Sequence, residues 1–253
     1  MSTPRHWVIV PTYNEAENIT DLIRKILAQG PSFYVLVADD NSPDHTADRA
    51  AQTGKPFGDR VVVLRRTRKE GYGKAVLAGC RRALALGADA LFTMDADFSH
   101  DPNVLPRLAL QLRFTDVAIG SRYVLGGRTE NWPLYRRTLS AVANRLARAV
   151  TGLHAHDCTG GFRGYRTSVI NKLLKQNVQS ANYTFLVETL FLIERLGFTT
   201  GELPIVFKER ERGQSKVNLS LIARGALSLI RLGWRRISSE IVALPEPKQT
   251  RPL

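Results

Sequence analysis

The 253 residues carry 36 lysines and arginines against 23 aspartates and glutamates, a net charge of +13, with 43% hydrophobic residues and 12 prolines. That length suits one large core with appendages, the composition excludes a disordered chain, and the surplus cations draw polyanions: nucleic acid, anionic lipid or phosphorylated substrates. Cys80 and Cys158 stand far apart without CxxC spacing, which excludes a disulfide framework and a cysteine-based zinc site and leaves reduced thiols in the cytoplasm as the expectation.

In chain order, the first apolar run, 7–10, is too brief for a signal-peptide core and reads as a buried strand. Further β-branched runs at 33–38, 60–64, 90–94 and 116–119 read the same way. Helical patterns fall between them at 15–28, 46–52, 74–86 and 104–112, the second preceded by the cap-forming residues Ser42 and Asp44. Alternating strands and helices predict an α/β fold with a mostly parallel, Rossmann-like sheet flanked by helices. The second half predicts helices over 134–150 and 183–196, a Gly-rich stretch between them through Gly160 and Gly164, and a strand over 201–207.

In parallel sheets ligands sit beyond the carboxyl ends of the strands, and here those ends are polar. They read Pro11-Thr12-Tyr13-Asn14-Glu15, Asp39-Asp40-Asn41-Ser42 and Asp95-Ala96-Asp97. Two carboxylates one residue apart suit a hard cation such as Mg2+ or Mn2+, whose shell substrate phosphates and water complete. Asp39 and Asp40 suit hydrogen bonds from a base or ribose, Tyr13 suits stacking on a base, and Glu15 suits a sugar hydroxyl. The same Asp, Asn and Ser residues also form turns in their own right. Gly71-Tyr72-Gly73-Lys74 lacks phosphate-loop spacing, and the five histidines show no metal-ligand spacing. Arg136, Ser140 and Asn144 recur every four positions, so one helix face presents them together, either to a phosphate or to solvent.

The segments PTYNE (11–15), VADDNSPDHT (37–46), MDADFSHDP (94–102), GSRY (120–123), GGRTENWPLYRRTLSAVAN (126–144), CTGGFRGYR (158–166) and ERERGQSK (209–216) resemble the family 2 glycosyltransferases of GT-A fold. Within them, the 126–144 and 209–216 segments resemble the dolichol- or polyprenol-phosphate mannose synthases. The resemblance implies transfer of mannose from GDP-mannose to a polyprenyl monophosphate with inversion, helped by Mg2+ or Mn2+. It implies that Pro11, Tyr13, Glu15, Asp39 and Asp40 bind the nucleotide sugar, and that Asp95 and Asp97 hold the metal. Ser99, a weaker ligand where the family often has Gln, is the third candidate for the metal shell. Arg122, Arg136, Ser140, Arg212 and Lys216 match positions that hold or close over the acceptor phosphate, and Asp95, Asp97 and Arg122 form the catalytic set. Transfer of glucose from a uridine nucleotide remains the alternative, beside a non-catalytic sugar-nucleotide binder. Nucleic acid is not expected as a partner, because the basic runs have neither recognition-motif spacing nor an aromatic platform.

A catalytic domain is expected over 1–216, an amphipathic helix over 217–240 and a tail over 241–253. Arg224, Ser228, Arg231 and Arg235 line one side of that helix and Leu219, Ile222, Ala226, Leu229 and Ile230 the other, the pattern of a helix lying on an anionic membrane surface. Arg224 and Arg231 interrupt what would otherwise approach the roughly 20 apolar residues of a spanning helix. Peripheral attachment to the cytoplasmic face, or a membrane-anchoring protein partner, is therefore expected.

Overall fold

The computed structural model describes residues 3–180, 184–209 and 231–234. Its centre is a seven-stranded sheet built from β1 (His6–Thr12), β2 (Phe33–Asp39), β3 (Val61–Arg65), β4 (Ala90–Thr93), β5 (Val117–Ser121), β7 (Arg163–Arg166) and β8 (Thr200–Pro204), in the order β3-β2-β1-β4-β7-β5-β8. All neighbours are parallel except β7, which runs against both β4 and β5. A second ribbon pairs β6 (Arg128–Glu130) with β9 (Val206–Lys208).

The strands are apolar on both faces because helices cover both. Trp7 and Ile9 point into one core and Val8 and Val10 into the other, the two-residue alternation of an extended chain. The helices α1 (Ile19–Leu27), α2 (Thr46–Gly54), α3 (Tyr72–Ala85), α4 (Leu105–Gln111), α5 (Leu134–Thr151), α6 (Thr167–Leu173) and α7 (Thr184–Arg195) complete the order. The α3 helix approaches β1 through Gly79, where a Cβ would lie 2.6 Å from Ile9 Cγ2.

Three expectations need correction. The first helix begins at Ile19, not at residue 15: Asn14 is left-handed (φ 61°), and residues 15–18 form a lead-in turn in which the Glu15 carbonyl accepts from the N–H groups of Asn18 and Ile19. The N-cap of α2 is His45, left-handed (φ 64°) and without a side-chain cap bond; Asp44, just before it, accepts from the Thr46 N–H and hydroxyl, whereas Ser42 belongs to Asp39. The strand expected over 201–207 is split at Ile205 into β8 of the main sheet and β9 of the ribbon. The Ile205 N–H donates to Ser121 O while its carbonyl accepts from Arg128, so the chain passes from one sheet to the other there. Strand β7, inside the Gly-rich stretch, shows no apolar run because it opens on Arg163. This arginine is fully buried and donates to the carbonyls of Gly160, Leu186 and Cys158.

Of the amphipathic helix expected over 217–240, only residues 231–234 are described. They are helical, with Leu232 buried and Trp234 exposed, and Gly233 packs against Val150. The boundaries at 216 and 240, and the 241–253 tail, lie outside the described residues. No described helix is long and apolar enough to cross a membrane.

Candidate active site

Strand order reverses between β1 and β4, which opens a crevice at their carboxyl ends. The register sets Ile9 beside Thr93, and the Met94 N–H donates to Ile9 O, so the residues after β1 and those after β4 leave the sheet side by side. The three acidic strand tips expected to meet lie at the ends of three adjacent strands, β2, β1 and β4.

Asp39 and Asp40 are both buried. Asp39 accepts from Thr12 Oγ1 (2.9 Å), the Ser42 N–H (2.9 Å) and Ser42 Oγ (2.5 Å), locking the first two tips together. Asp40 pairs with Arg66 and takes the N–H groups of Glu70 and Gly71 at 2.9 and 2.8 Å. It thereby fixes the loop that precedes α3. The Glu15 N–H donates to Thr46 Oγ1 (2.9 Å), and Lys69 Nζ lies 3.5 Å from the centroid of the Tyr13 ring. Pro11 is still within β1, paired with Ala38.

At the third tip, Asp97 Oδ1 accepts from the Ser99 N–H (3.1 Å) and hydroxyl (2.6 Å). Ser99 thus engages the carboxylate, and Asp95 is the more exposed of the two acids. The loop closes on His100, whose Nδ1 accepts from the Asp95 N–H at 3.2 Å. The His100 ring stacks on Phe162 and meets Phe207 edge-on. Burial pushes its pKa down to about 4 in spite of Asp97 nearby, so the ring is neutral at physiological pH. Its Nδ1 is then a pure acceptor and the proton sits on Nε2.

The basic side of the site is built on a buried ion pair. Arg122 Nε and Nη2 reach both oxygens of Asp157 at 2.8 and 2.7 Å, and Nη2 also donates to Thr159 Oγ1. Burial opposes the charge on each group, and the facing partner overrides it, raising the Arg122 pKa and lowering that of Asp157. Rings of Tyr123, Trp132 and Phe207 surround the guanidinium, and Arg136 stacks over Trp132 at 4.1 Å while pairing with Glu209. Ser140 accepts from Tyr123 Oη (2.7 Å), and Asn144 bridges Ser140 O, Thr159 and the Cys158 N–H. Arg122, Arg136 and Ser140 therefore belong to one connected cluster. Arg212 and Lys216 lie outside the described residues.

Acidic tips and basic cluster adjoin. Asp95 contributes to the raised pKa of Arg122, and His100 experiences both Asp97 and Arg122. Sequence reading assigned no role to His100, Asp157, Thr159, Trp132 or Phe207. Their signal was position alone: His100 inside MDADFSHDP, Trp132 inside GGRTENWP and Asp157 immediately before CTGG.

The glycosyl transferase family 2 model matches residues 7–174. The chain is 41% identical to a polyprenol monophosphomannose synthase of Mycolicibacterium smegmatis, with 92% of this chain and 88% of the relative covered. It is 40% identical to an undecaprenyl-phosphate mannosyltransferase of Micrococcus luteus, covering 89% and 92%. A dolichol-phosphate mannosyltransferase of Pyrococcus furiosus is 36% identical over 83% of this chain, which spans 58% of that longer protein. The fold matches glucosyl-3-phosphoglycerate synthase from Mycobacterium tuberculosis in complex with Mn2+, UDP and glucosyl-3-phosphoglycerate, with TM-score 0.61 and 18% identity over 99% of this chain and 83% of that one. Another structure of that enzyme, in complex with Mg2+ and UDP, matches with TM-score 0.64, at 18% identity over 93% and 80% of the two chains. A sheet crevice edged with acids, a family match over residues 7–174 and two relatives near 40% identity across most of their lengths together place the chain in glycosyl transferase family 2, as a glycosyltransferase of GT-A fold.

Proposed function

We propose that the chain transfers mannose from GDP-mannose to the phosphate of a polyprenyl monophosphate, inverting the anomeric centre. The observation that carries this reading is the meeting of two unlike half-sites: strand-tip acids suited to a cation and diphosphate, and a clamped arginine beside them suited to a second phosphate. The names of the three relatives, each a mannose or mannosyl transferase with a lipid phosphate, support the same acceptor class.

In this reading Pro11, Tyr13, Glu15, Asp39 and Asp40 form the nucleotide side. Asp95 and Asp97, with Ser99 holding Asp97, would bind Mg2+ or Mn2+. The donor set fits, because hard oxygens are what these ions take. One or two carboxylates suffice for such an ion, with substrate phosphates and water completing the shell. Held there by Asp95 and Asp97, such a cation would supply stabilisation of the charge on the departing diphosphate.

Arg122 is held rigid by Asp157 and Thr159 through Nε and Nη2, which leaves Nη1 to face an acceptor phosphate. Arg136 and Ser140 flank it. A phosphate monoester has its second pKa near ~6 and is largely dianionic at neutral pH. It attacks without a general base, so positioning by the arginines does the work that proton removal does for hydroxyl acceptors. A single displacement inverts configuration.

Apolar α5 side chains support attachment to a membrane surface. Tyr135, Leu139, Val142 and Leu146 fall on one helical face and are exposed, with Arg137 and Arg145 also exposed. That helix also carries Arg136 and Ser140, so a peripheral attachment through it, with or without an anchoring partner on the cytoplasmic face, would bring the acceptor cluster near lipid phosphates. A donor screen with one short polyprenyl phosphate and Mg2+ tests the assignment. GDP-mannose is expected to give an alkali-stable, acid-labile lipid mannoside of inverted configuration; transfer only from UDP-glucose overturns the donor, and no lipid product from any donor overturns the acceptor.

A further inference from the structure

Lys69 and Tyr13 carry an inference that rests on the nucleotide-site reading above and goes beyond it. Lys69 Nζ stands 3.5 Å over the Tyr13 ring, about the ~3.4 Å rise between stacked bases in a duplex. The ammonium therefore occupies the level at which a base stacked on Tyr13 would lie. The chain beside it is fixed, because the Glu70 and Gly71 N–H groups are both bound to Asp40, and Arg66 joins Asp40 to Glu70. Base stacking on an aromatic ring outweighs an exposed cation–π contact, so an arriving base displaces the ammonium. Lys69 is exposed and its stem has room to swing, while the backbone of the next two residues is anchored to Asp40, so the edge of the incoming base is within reach of the displaced ammonium.

We propose that Lys69 is a specificity-determining residue: it selects nucleotides whose base carries a carbonyl at the purine 6 or pyrimidine 4 position over those carrying an amino group there. An ammonium has three donors and no acceptor. A carbonyl like guanine O6 or uracil O4 accepts from it, whereas the N6 amino group of adenine and the N4 amino group of cytosine are donors and give it no acceptor at that position.

Nucleotide pairs that differ chiefly at this group test the idea: UDP against CDP, and inosine diphosphate against ADP, titrated calorimetrically with Mg2+ into the full chain, K69M and K69R. The wild type is expected to favour the carbonyl member of each pair by about tenfold. In K69M the ratio should fall towards one at an unchanged thermal midpoint, and K69R should keep the preference. An equal loss for all four nucleotides in K69M, with the ratio intact, would mark a phosphate contact and overturn the proposal. An equal gain would mark Lys69 as merely a cover over Tyr13, which overturns it too, as does a wild type without preference. GDP is titrated alongside as the reference; if the wild type binds neither GDP nor any of the four, the nucleotide-site reading itself fails.

Discussion

Asp157 is the residue on which the basic half of the site turns. It is fully buried, and it receives the Arg122 side chain twice, the Arg122 N–H and the Gly160 N–H. Replacing it with Asn leaves a buried guanidinium without its counter-charge, and such losses cost about 3–5 kcal/mol. Asp157→Asn should lower the urea midpoint accordingly and weaken acceptor use more than donor binding. An unchanged midpoint would show that the pair does not hold the cluster together. His100 gives a pH signature. Its folded pKa of about 4 lies below the unfolded value of 6.5, so between those limits the unfolded chain binds a proton that the folded chain does not. The stability it supports is present above pH 6.5 and is lost as pH falls towards 4, with a slope of up to about 1.4 kcal/mol per pH unit. His100→Asn, which retains a short acceptor, should flatten the stability profile in that window relative to wild type; parallel profiles would contradict burial of the neutral ring. Asp95 and Asp97 were legible in sequence because paired carboxylates after an apolar run are conspicuous. His100 and Asp157 were not, because their meaning lies in burial, and one sequence does not mark which polar residue is buried.

At the level of elements, the loop from Asp157 to Phe162 is fitted against α3 through a bare backbone. A Cβ on Gly161 would lie 2.7 Å from Tyr72 Oη and 3.4 Å from Asp95 Oδ1, and that tyrosine hydroxyl is buried without a hydrogen-bond partner. Gly161→Ala should therefore destabilise the fold by about 1–3 kcal/mol. Tyr72→Phe removes the atom the methyl group meets, and a double-mutant cycle should show it recovering part of the loss; strictly additive effects would separate the loop from α3. The parallel half of the sheet was readable because strands covered on both faces are continuous apolar runs, as in β1 and β2. In the other half β5 was readable in the same way, whereas two features were hidden for physical reasons: β7 opens on a buried arginine, and Ile205 passes the chain between two sheets within one apolar stretch.

The whole molecule presents an uneven surface. Its +13 charge and the exposed α5 row of Tyr135, Leu139, Val142 and Leu146 predict flotation with anionic vesicles that weakens as salt rises. Leu139→Glu with Leu146→Glu should reduce vesicle binding several-fold while leaving GDP binding unchanged; equal flotation of the double variant would move the contact away from α5. The sequence pattern had pointed for this role to the segment after residue 216, because its arginines and leucines alternate in a plain helical period, whereas α5 mixes site residues with surface ones. The account as a whole rests on Asp97 acting within a cation and diphosphate site rather than as a turn residue. The most direct measurement is transfer of labelled mannose from GDP-mannose to a short polyprenyl phosphate, with and without Mg2+, by wild type and by Asp97→Asn at matched thermal midpoints. The account predicts that metal-stimulated transfer falls at least about a hundredfold in the variant; full retained activity would contradict it.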